Sequence, residues 1–359
     1  MRPRRVVLYT WSHRVHGRRW ARGLSERGLD IRVISHGGEK IPGIDTVVIP
    51  PRKRWGKLSY IATAGQATRA AADFEPDLVH GHYAAGFGYW AWRTAIRPRV
   101  ISVWGSDVVD FPNDPIRHWL LRRILLSADA VTATSEFLAR AVGPFLTGSH
   151  RLEVIPFGVS VPGSTSEIPS SGHFRVCFLK AHARKYGPDV LLHALAEVRR
   201  RGVEVTASLA GEGEWTPFLR QMSHQLGLDQ AVVFTGFIDN ASISEFIHRH
   251  HCMVMPSVME SESFGVAALE AAACGRPCIA SRIGGVSEVI EDGHTGVLVP
   301  PQDVKALADA IVGLALNRRR CQEMGRAAYE FVKRHFTWEH SLDLMIDLYE
   351  RLIHEKAAT

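Results

Sequence analysis

The chain lacks a long apolar run. No uninterrupted apolar stretch approaches the roughly 18 residues that a membrane-spanning helix needs. The basic start at Arg2, Arg4 and Arg5 is followed by only a short apolar stretch before Trp11. We therefore predict neither a signal peptide nor a transmembrane helix, and a cytoplasmic location.

Cysteine is scarce and follows no known spacing. The 359 residues include five cysteines, an odd number, and no Cys-x-x-Cys pair. Neither a disulfide framework nor a structural zinc site is expected from this usage. A strand-borne Asp-x-Asp metal motif is also missing, because Asp107, Asp110 and Asp114 lie too far apart. We expect no metal and no cofactor.

A dinucleotide fingerprint is missing as well. The loop after the first predicted strand offers only Gly17, and Gly211-Glu212-Gly213 lacks the third glycine of the Rossmann pattern. This argues against an NAD-dependent oxidoreductase.

Positive charge is concentrated in the N-terminal half of the chain. Residues 1–163 hold 23 Lys plus Arg against 13 Asp plus Glu, a formal +10, and the remainder holds 20 against 24, a formal −4. A basic half could attract an anionic membrane surface or a phosphate-bearing acceptor, or could be an ordinary solvated surface. No nucleic-acid-binding signature accompanies it, so we expect no nucleic-acid partner.

Short β-branched runs alternate with segments of helical length, which is typical of parallel sheets covered by helices. The length of 359 residues favours two domains. The N-terminal half and the C-terminal half each contain such runs, and turn-forming residues with little apolar content separate the halves at 162–172. The predicted strands include 5–9, 31–34, 45–49, 77–80, 100–103, 130–133, 174–178, 203–207, 231–234, 252–255 and 277–280.

Ligands of such sheets bind beyond the carboxyl ends of the strands. Two domains placed edge to edge would create a cleft lined by these loops. On this rule His13, His16 and Gly17 in the first loop, and His80 and His82 after a later strand, are candidate cleft residues. For each histidine a surface or structural role is the alternative.

Glu262 and Glu270 flank the start of a predicted helix. Pro256-Ser257 ends a strand, Ser263-Phe264-Gly265 forms the turn, and Gly275 with Pro277 closes a small apolar helix. The free amides of its N-terminus would bind an anion. A charge at Glu270 within an otherwise apolar helix is costly unless it has a function, whereas Glu262 alone could be a surface residue.

Two further loops follow strands of the C-terminal half. Lys180 and Lys185 place cations at a strand end, as a diphosphate leaving group requires, although loop lysines are usually solvated. Gly284-Gly285 would let the backbone approach a ligand closely, or would simply form a tight turn.

These elements together resemble the family 4 glycosyltransferases, the retaining sugar transferases of GT-B architecture. Glu262 to Glu270 matches their Glu-x7-Glu element, and the similarity extends to Gly275-Arg276-Pro277, Gly284-Gly285-Val286 with Glu288, 292–299, and Phe336 to Glu339. It is strong over 174–339 and weaker before.

The resemblance implies an α/β fold of GT-B type: two Rossmann-like, doubly wound domains facing a central cleft, with a C-terminal helix crossing back. We accordingly predict an acceptor domain at 1–161, a linker at 162–172, a donor domain at 173–335 and the returning helix at 336–359. The helical spacing of apolar residues from Trp338 to Ile353 agrees with the last of these.

The resemblance also implies roles for individual residues. Lys180 and Lys185 would face the donor diphosphate. Glu262, with Ser263 and the amides near Phe264 and Gly265, would hold the donor sugar, and Glu270 the ribose. Gly236 and Phe237 match the stretch beside the nucleobase.

Four positions depart from the family pattern. Lys180 stands where the family generally has Arg, and Phe157 and Ser160 replace Asn and Asp of an interdomain segment. Trp104, three positions before Asp107, stands where many members have a histidine that contacts the donor sugar. Trp104 could instead stack on a sugar ring.

The predicted activity is transfer of a sugar from a nucleotide-diphosphate sugar to a hydroxyl acceptor, with retention and without metal if the donor diphosphate itself receives the acceptor proton. A lipid-linked acceptor and an anionic inner membrane surface are candidate partners, because residues 51–57 and 116–125 mix cations with Trp and Leu. A core helix with a solvated arginine edge explains 116–125 equally well. The alternative function is a non-catalytic nucleotide-sugar or glycan-binding protein of the same fold.

Overall fold

The computed structural model describes residues 4–109, 114–168 and 172–358. Contacts divide the chain into two compact units. We call Met1–Pro156 with Glu339–Thr359 the N-terminal unit and Phe157–Trp338 the C-terminal unit. Each is described by itself below.

The N-terminal unit is built on one parallel sheet. Its strands, within the described residues, are β1 (Arg5–Tyr9), β2 (Asp30–His36), β3 (Asp45–Ile49), β4 (Leu78–His82), β5 (Arg99–Val103), β6 (Ala130–Ala133) and β7 (Arg151–Val154). They are ordered β3-β2-β1-β4-β5-β6-β7, so the winding direction reverses between β1 and β4. Such a reversal opens a crevice at the carboxyl ends of the two strands.

Helices cover this sheet. They are α1 (Val15–Glu26), α2 (Ser59–Ala72), α3 (Phe87–Arg93), α4 (Pro115–Leu126) and α5 (Glu136–Val142), with short 3-10 turns at Lys53–Leu58 and Gly143–Phe145. Strands β4, β5 and β6 are buried along their whole length, as parallel strands covered on both faces must be.

The C-terminal unit repeats the architecture. Its described strands are β8 (Phe174–Leu179), β9 (Val205–Ala210), β10 (Val232–Gly236), β11 (Cys252–Met255), β12 (Cys278–Ser281) and β13 (Gly296–Val299), in the order β10-β9-β8-β11-β12-β13. Its helices are α6 (Pro188–Arg200), α7 (Thr216–Gln225), α8 (Ile243–His248), α9 (Val266–Ala273), α10 (Val286–Val289), α11 (Val304–Leu316) and α12 (Arg318–His335), with a 3-10 turn at Arg184–Tyr186. The reversal here lies between β8 and β11.

The last helix, α13 (Trp338–Ala357), packs with the N-terminal unit. The Tyr349 hydroxyl lies 2.5 Å from Nδ1 of His80, and ion pairs join Arg351 to Glu153 and Arg151 to Glu355. The buried hydrogen bond and these two ion pairs therefore fix the register of α13 on the sheet.

The predicted linker and the observed division differ. Residues 162–168 belong to the C-terminal unit, and 169–171 lie outside the described residues. The guanidinium of Arg276, almost fully buried, donates to the carbonyl and hydroxyl of Ser166 at 2.8 and 3.0 Å. The Tyr329 hydroxyl donates to the Pro162 carbonyl at 2.5 Å. Low apolar content thus marks an irregular segment held by hydrogen bonds, and the chain enters the C-terminal unit earlier, after Pro156.

None of the helices in the described part of the chain has the length and apolar character needed to cross a membrane. The five cysteines are all buried and unpaired.

Candidate functional site

The turn before α9 brings the strongest sequence motif to the edge of the C-terminal sheet. β11 ends at Met255, the chain turns through Glu262 and Ser263, and Gly265 adopts φ +89° immediately before the helix. A left-handed residue is accessible to glycine at little cost. The N-cap residue, Gly265, provides no side-chain cap, and the first backbone amides of a helix have no partner within the helix itself.

Lys180 and Glu262 form an ion pair here. Lys180 is the first residue after β8, and its Nζ lies 2.9 Å from Oε1 of Glu262, with side chains 19% and 9% exposed. Burial alone would lower the pKa of Lys180, but attraction and a hydrogen bond from Glu262, with further contributions from Tyr186 and Glu270, raise it above its ordinary value. Lys180 is therefore a fixed cation.

Lys185 belongs to the same cluster of charges. The Nζ of Lys180 lies 5.2 Å and that of Lys185 4.7 Å from the centroid of the Tyr186 ring. Both distances are within the range of cation–π attraction. The Val258 amide donates to the Lys185 carbonyl at 2.9 Å, which ties the loop after β8 to the loop after β11. Two cations thus lie at the sheet edge where α9 begins.

Glu270 lies half-buried on α9. Its carboxylate is near enough to Lys180 to raise the pKa of that amine. The charge that interrupts the apolar helix therefore faces the same cation cluster as Glu262.

The Gly284-Gly285 loop packs against the turn that carries Glu262. Gly284 adopts φ +53°, and a Cβ there would collide with the backbone carbonyls of Glu260 and Glu262. This close approach agrees with the second of the two alternatives, a tight turn. Gly284 supports the position of Glu262.

Gly236 ends β10, which lies on the far side of β9 from β8, and Phe237 follows the strand. Gly236 adopts φ +74° and its carbonyl accepts a hydrogen bond from the Gly211 amide at 2.8 Å. The Phe237 side chain is 77% exposed. An exposed aromatic ring at a strand end is available for stacking on a planar ligand.

Ser263 and Phe264 are both buried. The Phe264 ring packs against Phe157 at 6.3 Å and Phe336 at 5.8 Å between centroids. Phe264 is therefore a packing residue of this turn. Phe157, which departs from the family pattern, is a packing residue.

Two hydroxyls near the turn were missed as site residues. Ser257 is fully buried, and neither its Oγ nor that of Ser261 has a hydrogen-bond partner within the described residues. Buried polar atoms are nearly always paired, so such groups are candidates for ligand contacts. The sequence signal was the Pro256-Ser257 dipeptide itself, whose side-chain burial no pattern reveals.

Among the N-terminal candidates, the proposal for His80 needs correction. Its ring is fully buried, with Nδ1 bonded to Tyr349 and Nε2 2.7 Å from the Ser102 hydroxyl. Both nitrogens are engaged inside the unit, so His80 offers no imidazole to a ligand. It is a core residue that fixes α13.

His82 is also buried, and its ring lies 4.8 Å from that of Trp104. Burial, followed by the nearby His16, lowers the pKa of His82 to about 3, so the ring is neutral. The Trp104 ring also lies 6.0 Å from the ring of His16. Trp104 itself is half-buried.

Asp107 organises two loops. Its carboxylate accepts hydrogen bonds from the amides of Ala84 at 2.7 Å, Trp104 at 3.0 Å and Gly105 at 2.9 Å. Burial nevertheless raises the pKa of Asp107 to about 6. The three backbone hydrogen bonds that it accepts make Asp107 a positioning residue for Trp104 and for the loop at Ala84.

His13 and Gly17 lie in the loop after β1. His13 is largely exposed. Its partial burial, together with repulsion from Arg14 and Arg18, lowers its pKa. A Cβ at Gly17 would collide with the carbonyl of Trp11. Gly17 thus allows α1 to pack against the end of β1.

Within the described residues, His, Cys, Asp and Glu side chains form no group of three or more that could hold a metal ion.

The chain matches two family models. Residues 166–331 match the family described as Glycosyl transferases group 1, and residues 5–135 match Glycosyl transferase 4-like.

Similar proteins agree with these matches. The GDP-mannose-dependent alpha-(1-6)-phosphatidylinositol monomannoside mannosyltransferase of Mycolicibacterium smegmatis is 32% identical over 275 residues, covering 70% of this chain and 69% of that protein. The D-inositol 3-phosphate glycosyltransferase of Mycobacterium marinum is 28% identical over 319 residues, covering 81% and 68%.

Sucrose-phosphate synthase of Thermosynechococcus elongatus has a similar structure, with a TM-score of 0.85 and 22% identity over 99% of this chain and 100% of that one. At this identity the likeness concerns the fold, and the predicted α/β GT-B architecture is confirmed. The predicted family is confirmed by the sequence matches: the chain belongs to the family 4, or group 1, glycosyltransferases.

Proposed function

We propose that the enzyme transfers a hexose from a nucleoside-diphosphate sugar to a hydroxyl acceptor, with retention and without a metal ion. The observation that carries the proposal is the Lys180–Glu262 ion pair, with Lys185 and the N-terminus of α9 at the same sheet edge. This arrangement provides both a binding site for a diphosphate and a carboxylate for sugar hydroxyls.

The donor diphosphate is assigned to the cations. When the bond between the sugar C1 and the β-phosphate oxygen breaks, the electron pair stays on the phosphate. Lys180, Lys185 and the α9 amides stabilise that developing charge. The acceptor oxygen attacks C1 on the face that the phosphate leaves, and its proton passes to the departing phosphate oxygen, so no protein base or metal is required.

The remaining donor groups are assigned to the surrounding side chains. Glu262 and the backbone of Ser263 to Gly265 bind sugar hydroxyls, and Glu270 binds the ribose hydroxyls. Phe237, exposed at the end of β10, stacks on the base. The buried Oγ of Ser257 gains a partner when the donor binds.

GDP-mannose is the first donor to test. The mannosyltransferase relative at 32% identity is named for it. Both relatives are also named for inositol-containing acceptors. We therefore propose an inositol-bearing acceptor, lipid-linked or free.

A basic and apolar surface supports delivery of a lipid-linked acceptor. We give this name to two segments of the N-terminal unit: Trp55, Leu58 and Ile61 at the start of α2, and Ile116 and Trp119 on α4, all roughly half exposed or more. Exposed cations accompany them at Arg52, Lys53, Arg54, Arg117, Arg122 and Arg123. Apolar side chains mixed with cations fit an anionic bilayer surface.

The donor site is tested by titration calorimetry of the purified full chain with GDP, UDP and ADP. Lys185→Ala is expected to weaken binding of the preferred nucleotide at least tenfold, since a hydrogen bond to a charged group is worth about 1.5–3 kcal/mol. Lys305→Ala is the control, because Lys305 is an exposed lysine paired with Asp309 on α11 of the same unit. Equal loss in both variants, or no loss in either, would contradict the assignment.

Activity and retention are tested with GDP-mannose and phosphatidylinositol vesicles in the presence of EDTA. We expect mannosyl transfer with an α-linked product by proton NMR. Nucleotide binding without transfer to any acceptor would support the binding protein instead. A β-linked product, or activity abolished by EDTA, would contradict the mechanism.

The basic and apolar surface is tested by sedimentation with vesicles. Binding to phosphatidylcholine vesicles that contain phosphatidylinositol, but not to phosphatidylcholine alone, is expected, with loss in Trp55→Ser and Trp119→Ser. Phe218→Ser is the matched control, since Phe218 is a half-exposed aromatic residue of the C-terminal unit. Equal binding by all variants would exclude this surface.

A further inference from the structure

Tyr83, in the loop after β4, has an unfavourable backbone conformation. Its φ is +77°, one of three non-glycine residues with positive φ in the described chain. A bulky side chain in this region is strained. The strain is maintained by hydrogen bonds from the Tyr83 amide to the Ser102 carbonyl at 2.9 Å and from the Gly88 amide to the Tyr83 carbonyl at 3.2 Å. Strain held in this way is often found at functional sites.

The Tyr83 ring lies beside Trp11. Their centroids are 5.0 Å apart at an interplanar angle of 60°. The ring of buried Phe87 lies 5.0 Å from that of Trp11 and 5.3 Å from that of Tyr60, measured between centroids. We call the half-buried side chains Trp11, Tyr60 and Tyr83 the aromatic rim.

The aromatic rim occupies the switch point of the N-terminal sheet. Trp11 follows β1 and Tyr83 follows β4, the two paired strands between which the winding direction reverses. A ligand of such a sheet binds at this point. Neither Trp11 nor Tyr83 was among the residues assigned to donor or acceptor above.

The aromatic rim is uncharged but carries hydroxyls. The Tyr83 hydroxyl lies 2.8 Å from that of Ser106. His36, stacked on Tyr60 at 4.1 Å, has its pKa lowered by burial and is neutral. Apolar ring faces with neutral hydroxyls suit a ligand that is apolar on one face and polyhydroxylated at its edge, and offer nothing to a phosphate.

We propose that the aromatic rim binds the ring of the acceptor, and that this ring is a saturated polyol such as a cyclitol or pyranose. Its C–H face stacks on Trp11 and Tyr83, and one of its hydroxyls bonds the Tyr83–Ser106 pair. The inference rests on the proposed function and names the chemistry of its acceptor. Tyr83 and Trp11 are then residues that select a ring over a linear polyol.

Saturation-transfer NMR on the full chain with GDP present tests the selection. The probes are myo-inositol and methyl α-mannopyranoside, compared with mannitol, a linear polyol with as many hydroxyls as inositol. We expect saturation transfer to at least one ring polyol and at least tenfold weaker binding of mannitol. Equal signals from the ring and linear polyols, or none from either ring, would overturn the proposal.

Substitution of Tyr83 separates a binding role from a structural one. Tyr83→Gly removes the ring and relieves the backbone strain, so we expect an unchanged or raised melting temperature together with at least tenfold weaker binding of the ring polyol. Trp11→Ala should weaken it similarly, and Tyr83→Phe should retain stacking with a smaller loss. Phe218→Ala serves as the control. A lowered melting temperature in Tyr83→Gly with unchanged polyol binding would make Tyr83 a packing residue and overturn the proposal.

Calorimetry with GDP distinguishes a failure of the donor-site assignment from a failure of the aromatic-rim proposal. Normal GDP binding by the Tyr83 and Trp11 variants, together with lost polyol binding, is the expected result. Absence of GDP binding by the unsubstituted protein would contradict the donor site. Intact GDP binding with unselective polyol binding would contradict the aromatic-rim proposal alone.

Discussion

Lys180 and Glu262 are joined by a 2.9 Å ion pair that bridges the loop after β8 and the turn before α9. The two loops end neighbouring strands at the reversal point of the C-terminal sheet. The pair therefore determines both the charge and the shape of the donor site.

Removing one partner of this ion pair should destabilise the protein more than removing both. Lys180→Ala or Glu262→Ala leaves a largely buried charge without its partner, and we expect each to destabilise the protein by about 2–3 kcal/mol. The double variant should recover part of that loss. Urea unfolding of the three variants measures the coupling, and additive losses would show that the pair contributes no interaction energy.

Gly284 should be required for the position of Glu262. Gly284→Ala adds a Cβ that collides with the Glu262 carbonyl, so we expect at least tenfold weaker nucleotide-sugar binding. Gly293→Ala is a matched control, because Gly293 also has positive φ, at +78°, but a Cβ there meets nothing within 4 Å. Equal effects of the two substitutions on binding would mean that backbone strain, not displacement of Glu262, is responsible.

The N-terminal unit should lose stability as the pH falls below neutrality. The pKa of His82 is lowered by burial and by His16 to about 3, and burial lowers that of His80 well below its ordinary value. An unfolded histidine has a pKa of about 6.5, so the unfolded chain binds protons first. The stability contributed by the neutral rings is complete above about pH 6.5 and is lost as the pH falls towards about 3.

Each buried ring should contribute a slope of about 1.4 kcal/mol per pH unit below pH 6.5. Urea unfolding at pH 7, 6 and 5 measures it. His82→Gln should reduce the slope by that amount, whereas His294→Gln, at an exposed histidine, should leave it unchanged. A slope equal in all three proteins would contradict the burial argument.

Arg276 should hold the irregular segment after Val161 on the C-terminal unit. Its Nε and terminal nitrogens donate to the carbonyls of Ser166, Glu167, Cys274, His248 and His250 and to the Ser166 hydroxyl. Lysine cannot reproduce this planar fork of donors. We expect Arg276→Lys to destabilise the protein by about 2–4 kcal/mol, since several buried carbonyls lose their partners.

Hydrogen exchange of residues 162–168 locates the effect of Arg276→Lys. Faster exchange in this segment is expected, with unchanged exchange in β1 and β4 of the N-terminal unit. Unchanged exchange in 162–168 would show that other contacts, such as that of Tyr329 with Pro162, suffice.

Much of the fold was readable because its signals are local. The strand at 252–255 and the helix beginning at Trp338 were predicted at the positions where they occur. β7 and β13 were not among the predicted strands. Arg151–Val154 is half-buried along its whole length and lacks an apolar run, and Gly296–Val299 was noted only as part of the family resemblance. The segment at 162–168 was recognised as irregular, but composition does not report which unit an irregular backbone packs against.

The candidate site was readable only in part. Sequence by itself determined the family and the residues of the Glu262–Glu270 element, because their spacing on a turn and a helix carries its own chemistry. Tertiary structure alone decided that Lys180 pairs with Glu262, that Gly284 supports that pair, that His80 is engaged with Tyr349, and that Trp11 meets Tyr83. These residues are separated by tens to hundreds of positions along the chain, and they meet because parallel strands bring distant loops to one edge of a sheet.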